Sequence, residues 1–202
     1  MIKIDCEQLS PEWFLEKVGK PSAGSFDKIV TSKGEPSKQR EKYLYQLAGE
    51  TIAGMKTETY SNEAMKRGIE LEAEARDLFM MITDLEVTQV GIIYPDAGKA
   101  YGCSPDGIIE DSAGLEIKCP LIHTHVDYLL RGILPTDYVQ QVQGSMLVTG
   151  FNWWFFCSYF PGLPPLIIKV PRDGVFIEKL RTELEKFCLD LAIVINKLKA
   201  MI

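Results

Sequence analysis

The sequence predicts a mixed α/β fold, a mixed central β-sheet flanked by helices, and three observations lead there. Strand-like runs at "VGIIYP", "AYGCSPDGIIE" and "GLEIKCP" follow one another closely, each broken by Pro, Gly or Asp. Two further runs, "NWWFFCSYF" and "PLIIKV", come after a helical stretch and before a long periodic C-terminal segment. Helical segments therefore stand before, between and after the strands, which is the order that layers helices against one sheet.

Element by element, the polar stretch "TSKGEPSKQREK" separates a short N-terminal segment from everything after about residue 40. Helical patterns then cover roughly 39–54 and 61–82, ahead of the first three strands. A helical piece near 124–132 is broken by "GILPTD", and residues 136–149 read as a second helix ended by Gly150. The last two strands lead to a helix from about 174 to 200. In "NWWFFCSYF" the aromatics Trp153, Trp154, Phe155 and Phe156 fit alternation across a central strand, one set packing the core, better than a row of base-stacking platforms. The expected organisation is one domain over 1–202, with an N-terminal segment (1–40), a core (60–172) and a C-terminal helix (173–202).

At 202 residues and 46% hydrophobic content, the chain can bury a proper core. Its five cysteines are odd in number and unpaired in rhythm, which suits free thiols in a reducing compartment. No apolar run approaches a membrane span, and "MIKIDCEQLSPEW" has no export-type apolar region, so a cytoplasmic location is expected. The net charge of −6 argues against simple electrostatic binding of nucleic acid. It leaves room for a site that is acidic because it holds metal, with bases placed elsewhere.

The chemistry concentrates in "SPDGIIEDSAGLEIKCP", residues 104–120, which reads as a β-hairpin. Alternation along "LEIKC" sends Leu115, Ile117 and Cys119 to one face and Glu116 and Lys118 to the other. Taken alone, a Glu-x-Lys pair fits a solvated sheet surface better than a site. Asp106 adds a carboxylate at a bend set by Pro105 and Gly107, and a turn near 110–114 would fold it back toward Glu116 and Lys118. Two adjacent carboxylates repel unless a cation sits between them, and Mg²⁺ accepts a few carboxylate oxygens plus waters. A neighbouring lysine that orients water completes the parts that metal-assisted phosphodiester hydrolysis needs. On a helical wheel of residues 63–82, Gly68, Leu71, Ala75, Leu78, Phe79 and Ile82 form the inward stripe. Glu70, Glu74 and Asp77 lie opposite, but Glu72 borders the stripe, either as a snorkelling boundary residue or as a third carboxylate reaching the hairpin.

With Glu72, "CSPDG" and "LEIKCP" in place, and with "RGIELEAEARDLF", "IIYPD" and "YVQQVQGSMLVTGFNWWFF" beside them, the sequence resembles the bacteriophage lambda exonuclease family, the YqaJ-type viral recombinases of the PD-(D/E)xK nuclease superfamily. The likeness is densest from about residue 64 to 160 and thin before residue 60. The resemblance implies a restriction-endonuclease-like core. It also implies Mg²⁺-dependent 5′-to-3′ degradation of one strand of linear duplex DNA, leaving a 3′ single-stranded tail. Two Mg²⁺ ions, replaceable by Mn²⁺, would be held by Asp106, Glu116 and the Ile117 carbonyl, with Glu72 completing the acidic cluster directly or through water. Lys118 would position or activate the nucleophilic water, and Gln141 would support the nucleophile or the DNA end.

By the same resemblance Ser104 would approach the 5′-phosphate, Met65 would occupy the place of an apolar wedge, and the N-terminal segment would form part of the DNA-end pocket. A core methionine fits Met65 equally well. Where the family has a phosphate-reading arginine, this chain has Lys17, which lacks the planar fork, and either Ser22 or Ser25 stands for the family's phosphate-contacting serine. Members form ring-shaped homotrimers around DNA and work with a single-strand annealing protein. A ring would bring DNA near Lys28, Lys33, Lys38, Arg40 and Lys42, although a solvated loop explains those charges as well. Three rival readings stand beside this one: a zinc module built from Cys103, Cys119, His123 and His125, a non-catalytic DNA-end scaffold, and a same-fold endonuclease or junction resolvase.

Overall fold

The computed structural model describes residues 1–57 and 63–202, without the side chains of residues 64–65. In chain order it contains strand β1 (Ile2–Ile4), helix α1 (Pro11–Glu16), a 3-10 turn (Ala23–Lys28), α2 (Arg40–Ala53), α3 (Glu63–Thr83), β2 (Ile92–Tyr94), β3 (Gly107–Ile109) and β4 (Ala113–Lys118). Then come α4 (Ile122–Arg131), a second 3-10 turn (Thr136–Tyr138), α5 (Val139–Thr149), β5 (Trp153–Ser158), β6 (Leu166–Pro171) and α6 (Gly174–Lys199). Among the described residues no helix is long and apolar enough to cross a membrane.

The main sheet has the order β3-β4-β5-β6. The pair β4–β5 is parallel, while β3–β4 and β5–β6 are antiparallel. A parallel pair needs a long crossover, and α4 with α5 supplies it. The alternation expected for the aromatic strand is present. Trp154 and Phe156 are fully buried among residues of α2, α5 and α6, including Leu47, Val142, Met146 and Leu184. Phe155 turns to the opposite face, where Leu115, Ile117 and Cys157 meet Ala75 and Phe79 of α3, and Trp153 is exposed. Helices thus cover both faces.

Two expectations change. Ile82, expected on the inward stripe of α3, is 52% exposed; Phe79 is the last fully buried residue of that stripe. Only Gly107–Ile109 of the long run "AYGCSPDGIIE" is strand; Cys103 before it makes an isolated bridge with Ile93.

The N-terminal segment is knitted into the rest. β1 pairs antiparallel with β2, and Trp13 of α1 packs on Ile92 and Tyr94. The Ala23 N–H donates to the Gly102 carbonyl at 2.9 Å. The 3-10 turn lies on α5, where Gly144 leaves room for the Phe26 ring; a β-carbon there would overlap it.

Candidate active site

The β3–β4 hairpin turns through Glu110 and Asp111, whose φ values of 49° and 53° are the left-handed pair of a type I′ turn. Ser112 closes it, its N–H donating to the Ile109 carbonyl at 3.0 Å. The turn brings Asp106 back beside β4: its N–H donates to the Leu115 carbonyl at 3.1 Å, and its Oδ2 accepts the Ile117 N–H at 2.6 Å. Backbone groups two residues apart on a strand point the same way, so the Ile117 carbonyl faces this same edge, past the end of β3.

Glu116 and Lys118 do share a face, but it is not a solvated one. Glu116 is 1% exposed, beside Phe156 in the ladder, and its Oε1 accepts from both Lys118 Nζ and Gln141 Nε2, the latter at 2.6 Å. Gln141 projects from α5, which is buried on nearly all sides. From the other face of the sheet comes Glu72 of α3, whose Oε1 accepts from Arg76 Nη2 at 2.6 Å. Glu72, Asp106, Ile117 and Lys118 line an open cleft of about 500 Å³ whose rim includes Ile69 and Tyr138. The cleft lies at the carboxyl end of β4, between α3 and the crossover.

Burial raises the Glu116 carboxyl to about 8; the Asp106 and Glu72 charges add to this, and Lys118 opposes it. Asp106 is also raised by burial, against the pull of Lys118, the Ile117 N–H and Arg76. Glu72 is raised by burial and by Asp106, against Arg76 and Lys118. Burial works against the Lys118 charge too, yet Glu116 and Asp106 outweigh it and hold the ammonium above its ordinary range. Three carboxylates in mutual repulsion around one lysine form a site that gains from a further cation.

Among the described residues no three His, Cys, Asp or Glu side chains are grouped as a metal cage. Mg²⁺ does not need one, since it keeps several waters and uses one or two carboxylates. Asp106 has committed one oxygen to Ile117 and Glu116 one to Lys118 and Gln141, which leaves each a second oxygen. Those oxygens and the Ile117 carbonyl are a hard-oxygen donor set that fits Mg²⁺ or Mn²⁺.

The expected end-pocket residues fall into two groups. The Lys17 ammonium lies 3.6 Å from the Trp13 ring centroid; burial, with Lys56 adding repulsion, lowers it to about 7. Gly24, between Ser22 and Ser25, approaches Gln141, so this turn borders the Gln141–Glu116 pair. The Ser104 hydroxyl is already engaged, donating to the Gly91 carbonyl at 2.8 Å and accepting from Trp13 Nε1 at 2.9 Å. The Lys28 ammonium lies 5.0 Å from the Tyr43 ring centroid. Farther off, Lys33, Lys38 and Lys42 are exposed around the start of α2, and Arg40 pairs with Asp190 of α6 at 2.8 Å. The Met65 side chain lies outside the described residues.

The zinc grouping does not assemble. His125 is fully buried with both ring nitrogens engaged, Nδ1 with Ser158 Oγ at 2.8 Å and Nε2 with the Pro164 carbonyl at 3.1 Å. Cys103 is buried, whereas His123 is exposed on α4. Three neighbours escaped sequence reasoning. Arg76 reads there as an ordinary helix arginine, and Lys56 lies where the likeness is thin. Tyr138, whose ring centroid is 5.5 Å from Lys118 Nζ, stands just ahead of the glutamine motif.

Residues 12–152 match the family described as the YqaJ-like viral recombinase domain. No curated protein matches the chain. Among solved structures, an alkaline exonuclease (LHK-Exo) from Laribacter hongkongensis superposes with a TM-score of 0.86 at 32% identity, covering 95% of this chain and 97% of that one. Its complex with dAMP gives 0.86 at 33% identity, with the same coverage. A phage related exonuclease from Haemophilus somnus 129PT shares the fold, at TM-score 0.71 and 15% identity over 91% of this chain and 96% of that one. The fold is the restriction-endonuclease-like core that the resemblance implies.

Proposed function

Since this chain belongs to the YqaJ-like viral recombinase family, we propose that it is a Mg²⁺-dependent exonuclease that degrades one strand of linear duplex DNA from 5′ to 3′, leaving a 3′ tail for recombination. The observation that carries the reading is the convergence of Glu72, Asp106 and Lys118 on one cleft, with buried Glu116 held by Lys118 and Gln141 at its edge. The kinship with exonucleases supports the nuclease part.

Asp106, Glu116 and the Ile117 carbonyl would hold the metal, with Glu72 behind them. When bound, Mg²⁺ supplies Lewis acidity toward the phosphoryl oxygens and acidity to nearby water. Lys118, kept charged by its two carboxylates, orients the attacking water and offsets charge developing at phosphorus. Gln141 fixes the rotamer of Glu116 from the opposite helix. Lys17 with Ser22 or Ser25 receives the terminal 5′-phosphate. A homotrimeric ring and an annealing protein that coats the 3′ tail complete the proposal.

End-labelled linear duplex and covalently closed circular duplex, each incubated with Mg²⁺, test it. Nucleotides are expected from linear DNA alone, fastest with a 5′-phosphate. Nicking of circles would instead select the endonuclease reading, and inert linear DNA the scaffold reading.

A further inference from the structure

Arg76 is polar, yet it lies beside Ala75 on the buried side of α3, with its side chain 11% exposed. Its partners come from three chain segments. Nη2 donates to Glu72 Oε1, one helical turn earlier, at 2.6 Å. Nε donates to the Asp106 backbone carbonyl at 3.3 Å. The Gln89 side chain, its amide oxygen turned toward the guanidinium as the donors require, accepts from Nη2 and Nη1 at 3.2 and 3.1 Å. Gln89 follows Thr88, which bridges to Ile108 of β3, so the guanidinium is braced where α3 crosses the hairpin. An ordinary i,i+4 surface pair has one partner and full hydration; this arginine uses its planar fork on three partners at once.

We propose that Arg76 is the positioning residue that sets the metal affinity of the cleft, fixing the Glu72 carboxylate and the Asp106 backbone in one relative geometry so that both carboxylates face the same ion. Arg76 takes no part in bond breaking. It acts through Glu72 and through the bend that carries Asp106, as outer partners do for ligands they orient. The guanidinium occupies one Glu72 oxygen, leaving the other for the cleft. This inference rests on the metal-dependent reading of the site.

The test is calorimetric titration of the DNA-free protein with Mg²⁺ and with Mn²⁺, alongside the Mg²⁺ dependence of nucleotide release. Arg76→Lys, which keeps the charge and loses the fork, is expected to weaken metal binding by about tenfold. It should raise the Mg²⁺ concentration for half-maximal rate while leaving KM for DNA at saturating Mg²⁺ unchanged. In a Glu72→Gln background most of that loss should disappear, because the same path is already cut. Should Arg76→Lys fail to fold, Gln89→Ala removes only the outer brace and should weaken metal binding by about threefold. Unchanged metal affinity in the folded variant, or fully additive losses in the double variant, would overturn the proposal. Wild-type protein that binds Mg²⁺ but releases no nucleotide would refute the nuclease reading instead.

Discussion

Glu116 shows how one side chain can be both a structural liability and the centre of a site. Its burial disfavours the charged form, and Lys118 and Gln141 both spend hydrogen bonds to keep it there. Replacing Lys118 or Asp106 by Ala is expected to lower turnover by about 10³-fold or more, while binding to DNA ends in Ca²⁺ persists; rate and end-binding assays on each variant check it. A pH effect follows with a definite sign. An acid whose folded pKa is raised stabilises the fold below the ordinary carboxylate range, and that contribution is lost as pH rises through about 8. Metal must displace the Glu116 proton below that point, so Mg²⁺ affinity should rise with pH up to about 8 and then level off, with proton uptake by the buffer. Calorimetry in buffers of different ionisation enthalpy measures it. Asp106, Glu116 and Lys118 were legible because a bend, an alternation and a spacing all concern neighbours in sequence. Arg76 was not, since its partners lie on a bend and a loop that only folding brings under the helix.

At the level of elements, α5 carries more than its length suggests. It offers Gln141 to the hairpin, Gln143 to the Pro171 carbonyl at 3.0 Å, and Gly144 to the Phe26 ring. Gly144→Val should therefore push the 3-10 turn away, lowering stability by about 1–3 kcal/mol in urea unfolding and weakening the preference for 5′-phosphorylated ends. His125 does similar work between α4 and β5; His125→Ala leaves the Ser158 hydroxyl and Pro164 carbonyl without their partner and should cost about 1–3 kcal/mol with little change in metal binding. The helices α2, α3, α5 and α6 could be read from periodicity within a few residues. The three-residue β1 and the six-residue α1 could not. A strand that short shows no alternation, and a helix of under two turns shows no 3.6-residue period. What places them is tertiary: Trp13 on Ile92 and Tyr94, and Ile2 opposite Tyr94.

Across the whole molecule, a charge of −6 has to coexist with the polyanionic substrate proposed for it. The proposed ring would resolve that tension by topological enclosure, without a broad basic surface. Light scattering of the eluted protein is expected to give three times the 22.8 kDa chain mass, and a monomer would refute the ring. The mixed sheet also dictates an order of events during synthesis. β1, α1 and the first 3-10 turn dock on residues 92–102 and on α5, all of which leave the ribosome much later. The parallel partner of β4 arrives later still. A chain halted partway through translation therefore has its first 3-10 turn undocked and no glutamine to steady Glu116, so on the proposed function the capacity to cut DNA would be withheld from nascent protein until the sheet has closed.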